Sequence, residues 1–279
     1  MPRAWVQTEP EFSKRGLMTN LATPVSKSAP AKVRLRAPTM EDPWAWLTAG
    51  WRDLWKNPVL SFGYGAAFVL IGLLATWGLW MAGLESMAPA LAAGFTLVGP
   101  VFAIGLYEMS RKYEAGEQTH LRDVVAVRLP SPAQMAFLAY TLMFLFLVWI
   151  RLATLNYAMF SYGDYRPLSE FVSFALNSSQ GLTMIVVGSA IGGVLAFIAF
   201  ALSVVSVPIL MRHDIDVLSA MSISIRLVRD HPGPMLLWAW LIGVLTLMGL
   251  ASMFVGLALV FPLVGHATWH AYRSLVIVD

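Results

Sequence analysis

Six apolar stretches of bilayer length take up most of the chain, at about 58–82, 87–107, 133–157, 182–211, 234–250 and 251–271. A hydrocarbon core about 30 Å thick is crossed by about 20 apolar residues in a helix. Because lipid offers backbone N–H and C=O groups no partner, each segment must satisfy them internally. Such stretches therefore form helices that pack side by side in a membrane. Composition agrees, with 58% hydrophobic and 13% charged residues and a mean hydropathy of +0.66, where soluble domains carry about 25% charge. A soluble catalytic domain and a nucleic-acid binder are excluded on that ground. The absence of cysteine removes disulfides, thiolate metal centres, iron–sulfur clusters and cysteine nucleophiles. The fifth and sixth stretches are the least cleanly separated, since 250–254 holds no charge and only Gly249 and Gly256 signal a turn. Two tight antiparallel helices fit that length better than one re-entrant unit.

Basic residues set the expected orientation. Seventeen of the 19 Lys and Arg fall before the first stretch, after the second, after the fourth or at the C-terminus, and only Arg151 and Arg166 fall on the other side. Cytoplasmic loops are enriched in Lys and Arg, so both termini are expected in the cytoplasm of a bacterium, with the chain multi-pass in the inner membrane. Residues 1–40 mix Ser, Pro, Lys and Arg without apolar periodicity and read as a disordered basic tail, followed by a membrane domain over 41–275. No apolar run follows the tail's basic positions to mark a cleaved signal. Its Lys27–Arg36 stretch is suited to anionic lipid heads.

A repeat runs through the chain. Gly50–Pro58 (GWRDLWKNP) aligns with Ser224–Pro232 (SIRLVRDHP), which sets Arg52 opposite Arg226 and Pro58 opposite Pro232. Pro100 and Pro262 also correspond, with Arg111 and Arg273 each eleven residues later. The middle pair of stretches echoes the pattern through Thr119–Leu129, Ser131-Pro132 and Pro208. The expectation is three parallel two-helix repeats, each preceded by a cytoplasmic interfacial amphipathic helix. Asn57-Pro58 is a helix start, with a side-chain cap followed by a proline whose missing N–H costs nothing there. Pro100, Pro208 and Pro262 fall inside apolar helices, where each frees a carbonyl one turn earlier. In the first interfacial segment Trp44, Leu47, Trp51, Leu54 and Trp55 share one face, opposite Thr48, Arg52, Asp53 and Lys56. In the third, Val217, Met221, Ile225 and Val228 oppose Ser219, Ser222, Arg226 and Arg229. The tryptophans would sit at the headgroups.

Few residues offer chemistry. His266 and His270 lie one turn apart on the sixth stretch, where two imidazoles share a side and can share a metal. No third His, Cys or carboxylate accompanies them on that stretch, so hydrogen bonding is the simpler role. No carboxylate falls near the membrane midplane: Glu85, Asp164 and Glu170 belong to outer loops and Glu108 to an inner helix end. This counts against ion-coupled transport. Gly188-Ser189-Ala190-Ile191-Gly192 makes a small-residue face that suits close helix contact, within the bundle or in a homo-oligomer. Asp214 and Asp216 precede an amphipathic segment and read as its cap. No nucleotide, hydrolase or metalloprotease motif is present.

Trp51-Arg52-Asp53-Leu54 with Asn57-Pro58, Arg212-His213-Asp214-Ile215-Asp216, and above all Phe261–Arg273 with Pro262, His266, Trp269 and His270 resemble a bacterial integral-membrane family, domain of unknown function 2189. The resemblance extends over about residues 40–275. It implies a six-span protein without an established activity, and some members carry a label as cytochrome c oxidase subunits. A haem–copper catalytic subunit resembles a twelve-helix protein with six metal-binding histidines, which two histidines at membrane depth cannot supply. The leading expectation is a non-enzymatic scaffold, accessory or assembly factor for a membrane complex, a respiratory one among the candidates, with lipid and complex subunits as partners and no cofactor. The alternatives are a small-solute channel or permease running beside Pro100, Pro208 and Pro262, with Thr96, Ser203, Ser206 and Thr268 as its polar lining, and a haem- or metal-binding protein using His266 and His270.

Overall fold

In the computed structural model, residues 33–161 and 167–278 are described. The tail up to residue 32, Asp164 and Arg166 lie outside the described residues. The chain begins with a short strand β1 (Val33–Leu35), an interfacial helix α1 (Asp42–Lys56) and a long apolar helix α2 (Pro58–Met81). After a 3-10 turn at Glu85–Met87 come α3 (Ala88–Phe102) and α4 (Ile104–Glu114), and then the five-residue α5 (Leu121–Val125). Next are α6 (Pro132–Ser161), α7 (Leu168–Asn177), α8 (Ser179–Ser203) and α9 (Ser206–Arg212). The amphipathic α10 (Val217–Asp230), the apolar α11 (Pro232–Ala251), α12 (Leu257–Leu275) and strand β2 (Val276–Val278) complete it.

Five segments are long and apolar enough to cross a membrane: 58–81, 85–114, 132–161, 179–212 and 232–251. The protein is thus an all-helical membrane protein. Helix α12 is not among the five, and its place explains its composition, for it is packed between α1, α2, α4 and α11. Polar side chains that lipid would reject find protein partners there.

Local chemistry accounts for the helix starts. The Asn57 side chain accepts a hydrogen bond from the Leu60 N–H at 3.2 Å, with Pro58 as first helical residue. Ser178 caps α8 through Gly181 N–H at 2.9 Å, and Asp216, not Asp214, caps α10 through Ser219 N–H at 2.9 Å. The prolines act differently from one another. Near Pro100 the helix is interrupted at Ala103, where the Tyr64 hydroxyl donates to the Phe102 carbonyl at 2.5 Å. Near Pro208 the break falls at Val204-Val205, and the Ser206 hydroxyl lies 2.6 Å from the Leu202 carbonyl and 3.1 Å from that of Ala220. Pro262 leaves α12 continuous. The carbonyl it cannot bond belongs to Ala258, and Gly65 of α2 lies directly against that carbonyl, so close that a Cβ would collide with it.

The structure corrects several expectations. Residues 33–35 of the expected tail are ordered: β1 pairs antiparallel with β2, Val33 opposite Val278 and Leu35 opposite Val276. Three residues are too short a run to stand out against the tail's composition. Arg36 then fastens this segment to the end of α12, donating to the Leu275 and Ser274 carbonyls at 2.9 and 2.8 Å. The sixth apolar stretch becomes helical at Leu257 rather than 251, because Met253 and Phe254 turn the chain with φ of 54° and 68°. Large side chains pay for that conformation. Packing of Phe254 against Gly72, and a hydrogen bond from Gly256 N–H to Ser252 Oγ at 2.8 Å, hold the turn.

On α1 the buried stripe is neither of the two expected faces, since Thr48, Arg52 and Lys56 are exposed and Asp53 alone of their group is buried. Trp46, Gly50, Asp53 and Leu54 are buried, while Trp44, Trp51 and Trp55 are exposed. The cause is Gly50, whose Cβ would stand 2.6 Å from the Ala267 nitrogen, so α1 crosses α12 nearly backbone to backbone. On α10, Val217 and Val228 are buried as expected, but Ile225 is exposed and Ala220, Ser224 and Leu227 replace it in the core.

Candidate functional site

The contacts between α1, α2, α4 and α12 bring polar side chains together at the end of the bundle that carries α1. Asp53 is 2% exposed. Its Oδ2 accepts from His270 Nε2 at 2.7 Å and its Oδ1 faces Lys56 Nζ at 2.8 Å. Burial pushes the Asp53 carboxyl up, but the hydrogen bonds from His270 and Lys56 outweigh it and hold the group down at about 2. The other ring nitrogen of His270 lies 3.9 Å from Glu114, and Glu114 in turn accepts from Arg273 Nε at 3.1 Å. One turn deeper, fully buried His266 meets Ser110 Oγ at 2.8 Å through Nδ1 and Ser61 Oγ at 3.2 Å through Nε2. A hydroxyl can donate or accept, so the ring is satisfied in either tautomer. Lys56 also lies over the Tyr113 ring, 5.2 Å from its centre.

His266 and His270 thus turn their nitrogens to different partners. Among the described residues no group of three or more His, Asp or Glu is arranged to hold a metal. His213 stands apart, its Nε2 3.0 Å from the Tyr272 hydroxyl. Trp269 is buried against Tyr272, with ring centres 5.3 Å apart. Arg52 and Arg226 are exposed, and Pro58 and Pro232 each open a helix. Helical spacing groups Asp53 with Thr48, Arg52 and Lys56, of which it alone is buried, and offers no role for Ser61, Ser110 and Glu114. The signal that distinguishes Asp53 is its neighbour Gly50, one turn away, which marks where a second backbone approaches.

A second feature lies between the membrane segments. A cavity of about 950 Å³ is bounded by α2, α3, α6, α8, α11 and α12. Thr96, Pro100, Ser203 and Thr268 line it, but Ser206, Pro208 and Pro262 do not. Among the described residues none of its lining side chains is charged. Small-molecule sites run to roughly 300–1,000 Å³, so the space is large enough for a substantial guest. The small-residue face of α8 serves the same interior: Gly188 abuts Asn156 and Gly192 abuts Trp149, both on α6. Trp149 is fixed by donating to the Ala90 carbonyl at 2.6 Å.

Comparison with protein families finds that residues 87–212 match the model of a family described as Predicted integral membrane protein (DUF2189). The matched part runs from α3 to α9, and the Phe261–Arg273 stretch falls outside it. No curated protein and no solved structure matches the chain.

Proposed function

We propose that the protein crosses a bacterial cytoplasmic membrane six times, with α12 as the sixth crossing, and serves there as a non-enzymatic accessory or assembly factor for a membrane complex. Pairing of β1 with β2 supports an even number of crossings, since it joins the beginning and end of the described chain at one end of the bundle. The bias of basic residues makes that end cytoplasmic. A repeat of three units is supported by α1, α5 and α10, each of which stands shortly before a proline-started helix.

The observation that carries the accessory reading is the engagement of Asp53, His270, Glu114 and Arg273 with one another. They clamp α1 and α4 onto α12 and build a firm platform rather than an open reaction centre. Arg52 on α1 is exposed, as are Arg226, Arg229 and Leu218 on α10, a mixture suited to a partner subunit. To test this, the tagged protein is extracted from its native membrane in mild detergent, and co-purifying proteins are quantified against an untagged control. Subunits of one complex, a respiratory one first, are expected at near-stoichiometric level, with recovery falling when Arg226 and Arg229 are both changed to Glu. A protein recovered alone contradicts the reading.

The cavity favours a second reading, a channel or permease, because Thr96, Ser203, Thr268 and Pro100 meet on its wall. Solute flux in proteoliposomes, abolished by bulky substitution of Thr96, would promote that reading over the first.

A further inference from the structure

The cavity has properties that neither a platform nor a polar pore uses. The helices around it include all five membrane-length segments, so hydrocarbon rather than water is the phase around it. Among the described residues its wall carries no charge, and a phosphate or ammonium group brought inside would lose its hydration without a counter-charge from them. Yet its polar groups include two that are left incomplete. Ser86, only 3% exposed, has a hydroxyl oxygen with no hydrogen-bond partner, and so does Asn156 Oδ1. The Asn156 amide nitrogen already donates to the Met184 carbonyl at 3.0 Å, which leaves the oxygen as a free acceptor. Both residues line the cavity. Buried polar groups are rarely left unpaired, and each such group calls for an explanation.

We propose that the cavity is a binding site for an uncharged amphiphile taken from the bilayer, with its hydrocarbon chains in the apolar body and a hydroxyl-bearing head against Ser86 and Asn156. Diacylglycerols and long-chain prenyl alcohols have this chemistry. A head hydroxyl that donates to Asn156 Oδ1 would complete that residue, and a head oxygen that accepts from Ser86 O–H would complete the other. The absence of wall charge separates this guest from a phospholipid, whose head must stay outside. Chains fit because α8 and α11 present Gly193 and Gly243 to the cavity, each with open space where a side chain would begin.

The full chain in vesicles of phosphatidylethanolamine and phosphatidylglycerol is exposed to diacylglycerol bearing a diazirine in one acyl chain. After irradiation the attachment sites are mapped by mass spectrometry. Label is expected to concentrate on cavity-lining residues of α3, α8 and α11 and to be displaced by excess unlabelled diacylglycerol. Gly193→Leu and Gly243→Leu should lower it several-fold. Gly78→Leu, whose side chain enters open space on α2 away from the cavity, should not. Ser86→Ala should weaken retention while leaving thermal stability unchanged, because it removes a hydroxyl that holds nothing in the protein. Label spread evenly over the lipid-facing helices, or not displaced by excess diacylglycerol, overturns the site. Equal labelling by a diazirine phosphatidylglycerol overturns the uncharged head. Should the leucine variants fail to fold, the map and competition on the unchanged protein still decide the matter.

Discussion

Asp53 shows how one side chain can be misjudged from its neighbours in sequence. Spacing along α1 sets it with Thr48, Arg52 and Lys56 on a hydrophilic face, yet its main partner is His270, more than two hundred residues away. Locally only Gly50 marks the approach of another backbone, and nothing in α1 identifies His270 as the partner. His270 and Lys56 are partly exposed, so removing the Asp53 carboxylate costs chiefly its charge-assisted hydrogen bonds, about 1.5–3 kcal/mol. Asp53→Ala is therefore expected to lower the thermal midpoint of the detergent-solubilised protein sharply, whereas Arg52→Ala, on the exposed side, should change it little. Acid should act through the same group. The Asp53 carboxyl is held at about 2 in the fold, below the value of about 3.9 for an unfolded chain. Its contribution is therefore complete above the unfolded value and is lost as the pH falls through the folded one. Unfolding midpoints recorded from pH 6 down to pH 2 should decline in the acid range, and less steeply in Asp53→Asn. His266 and His270 were legible as a pair on one side of a helix, but their partners Ser61, Ser110 and Asp53 come from α2, α4 and α1, which helical spacing alone does not relate.

Helix starts were the most legible elements, because caps and prolines act within a few residues: Asn57-Pro58 and Asp216 stand where local chemistry requires. Helix breaks were less legible. Pro100 and Pro208 accompany interruptions, while Pro262 does not. The carbonyl that Pro262 leaves without its helical partner is Ala258 C=O, against which Gly65 brings the α2 backbone. Gly65→Leu should separate α2 from α12 and destabilise the protein by about 1–3 kcal/mol or more. The same change at Gly63, which has open space around it, should leave unfolding close to that of the unchanged chain. Equal effects at both positions would show that the contact with Ala258 does not matter. The amphipathic faces of α1 and α10 were only half legible, since tertiary packing through Gly50 and Ala220 chooses which stripe is buried.

The class of the protein follows from its apolar stretches, and the matched family agrees with it. The number of crossings is harder to read, because α12 combines an apolar first half with His266, His270 and Arg273 in its second. Such a helix fails a test of apolarity because neighbours, rather than lipid, surround it. The tie between β1 and β2 is equally invisible locally, as it joins two three-residue strands from opposite ends of the chain. Together they make the account hinge on whether α12 carries the chain back across the membrane to the side where α1 lies. The chain contains no cysteine, so single cysteines can be introduced without background. Val255→Cys and Ile277→Cys, at exposed positions on either side of α12, should be treated in sealed, oriented vesicles with a membrane-impermeant maleimide. The account predicts that the two react from opposite faces, with Ile277→Cys on the cytoplasmic one. Reaction of both from the same face, or protection of Val255→Cys from both, would contradict it.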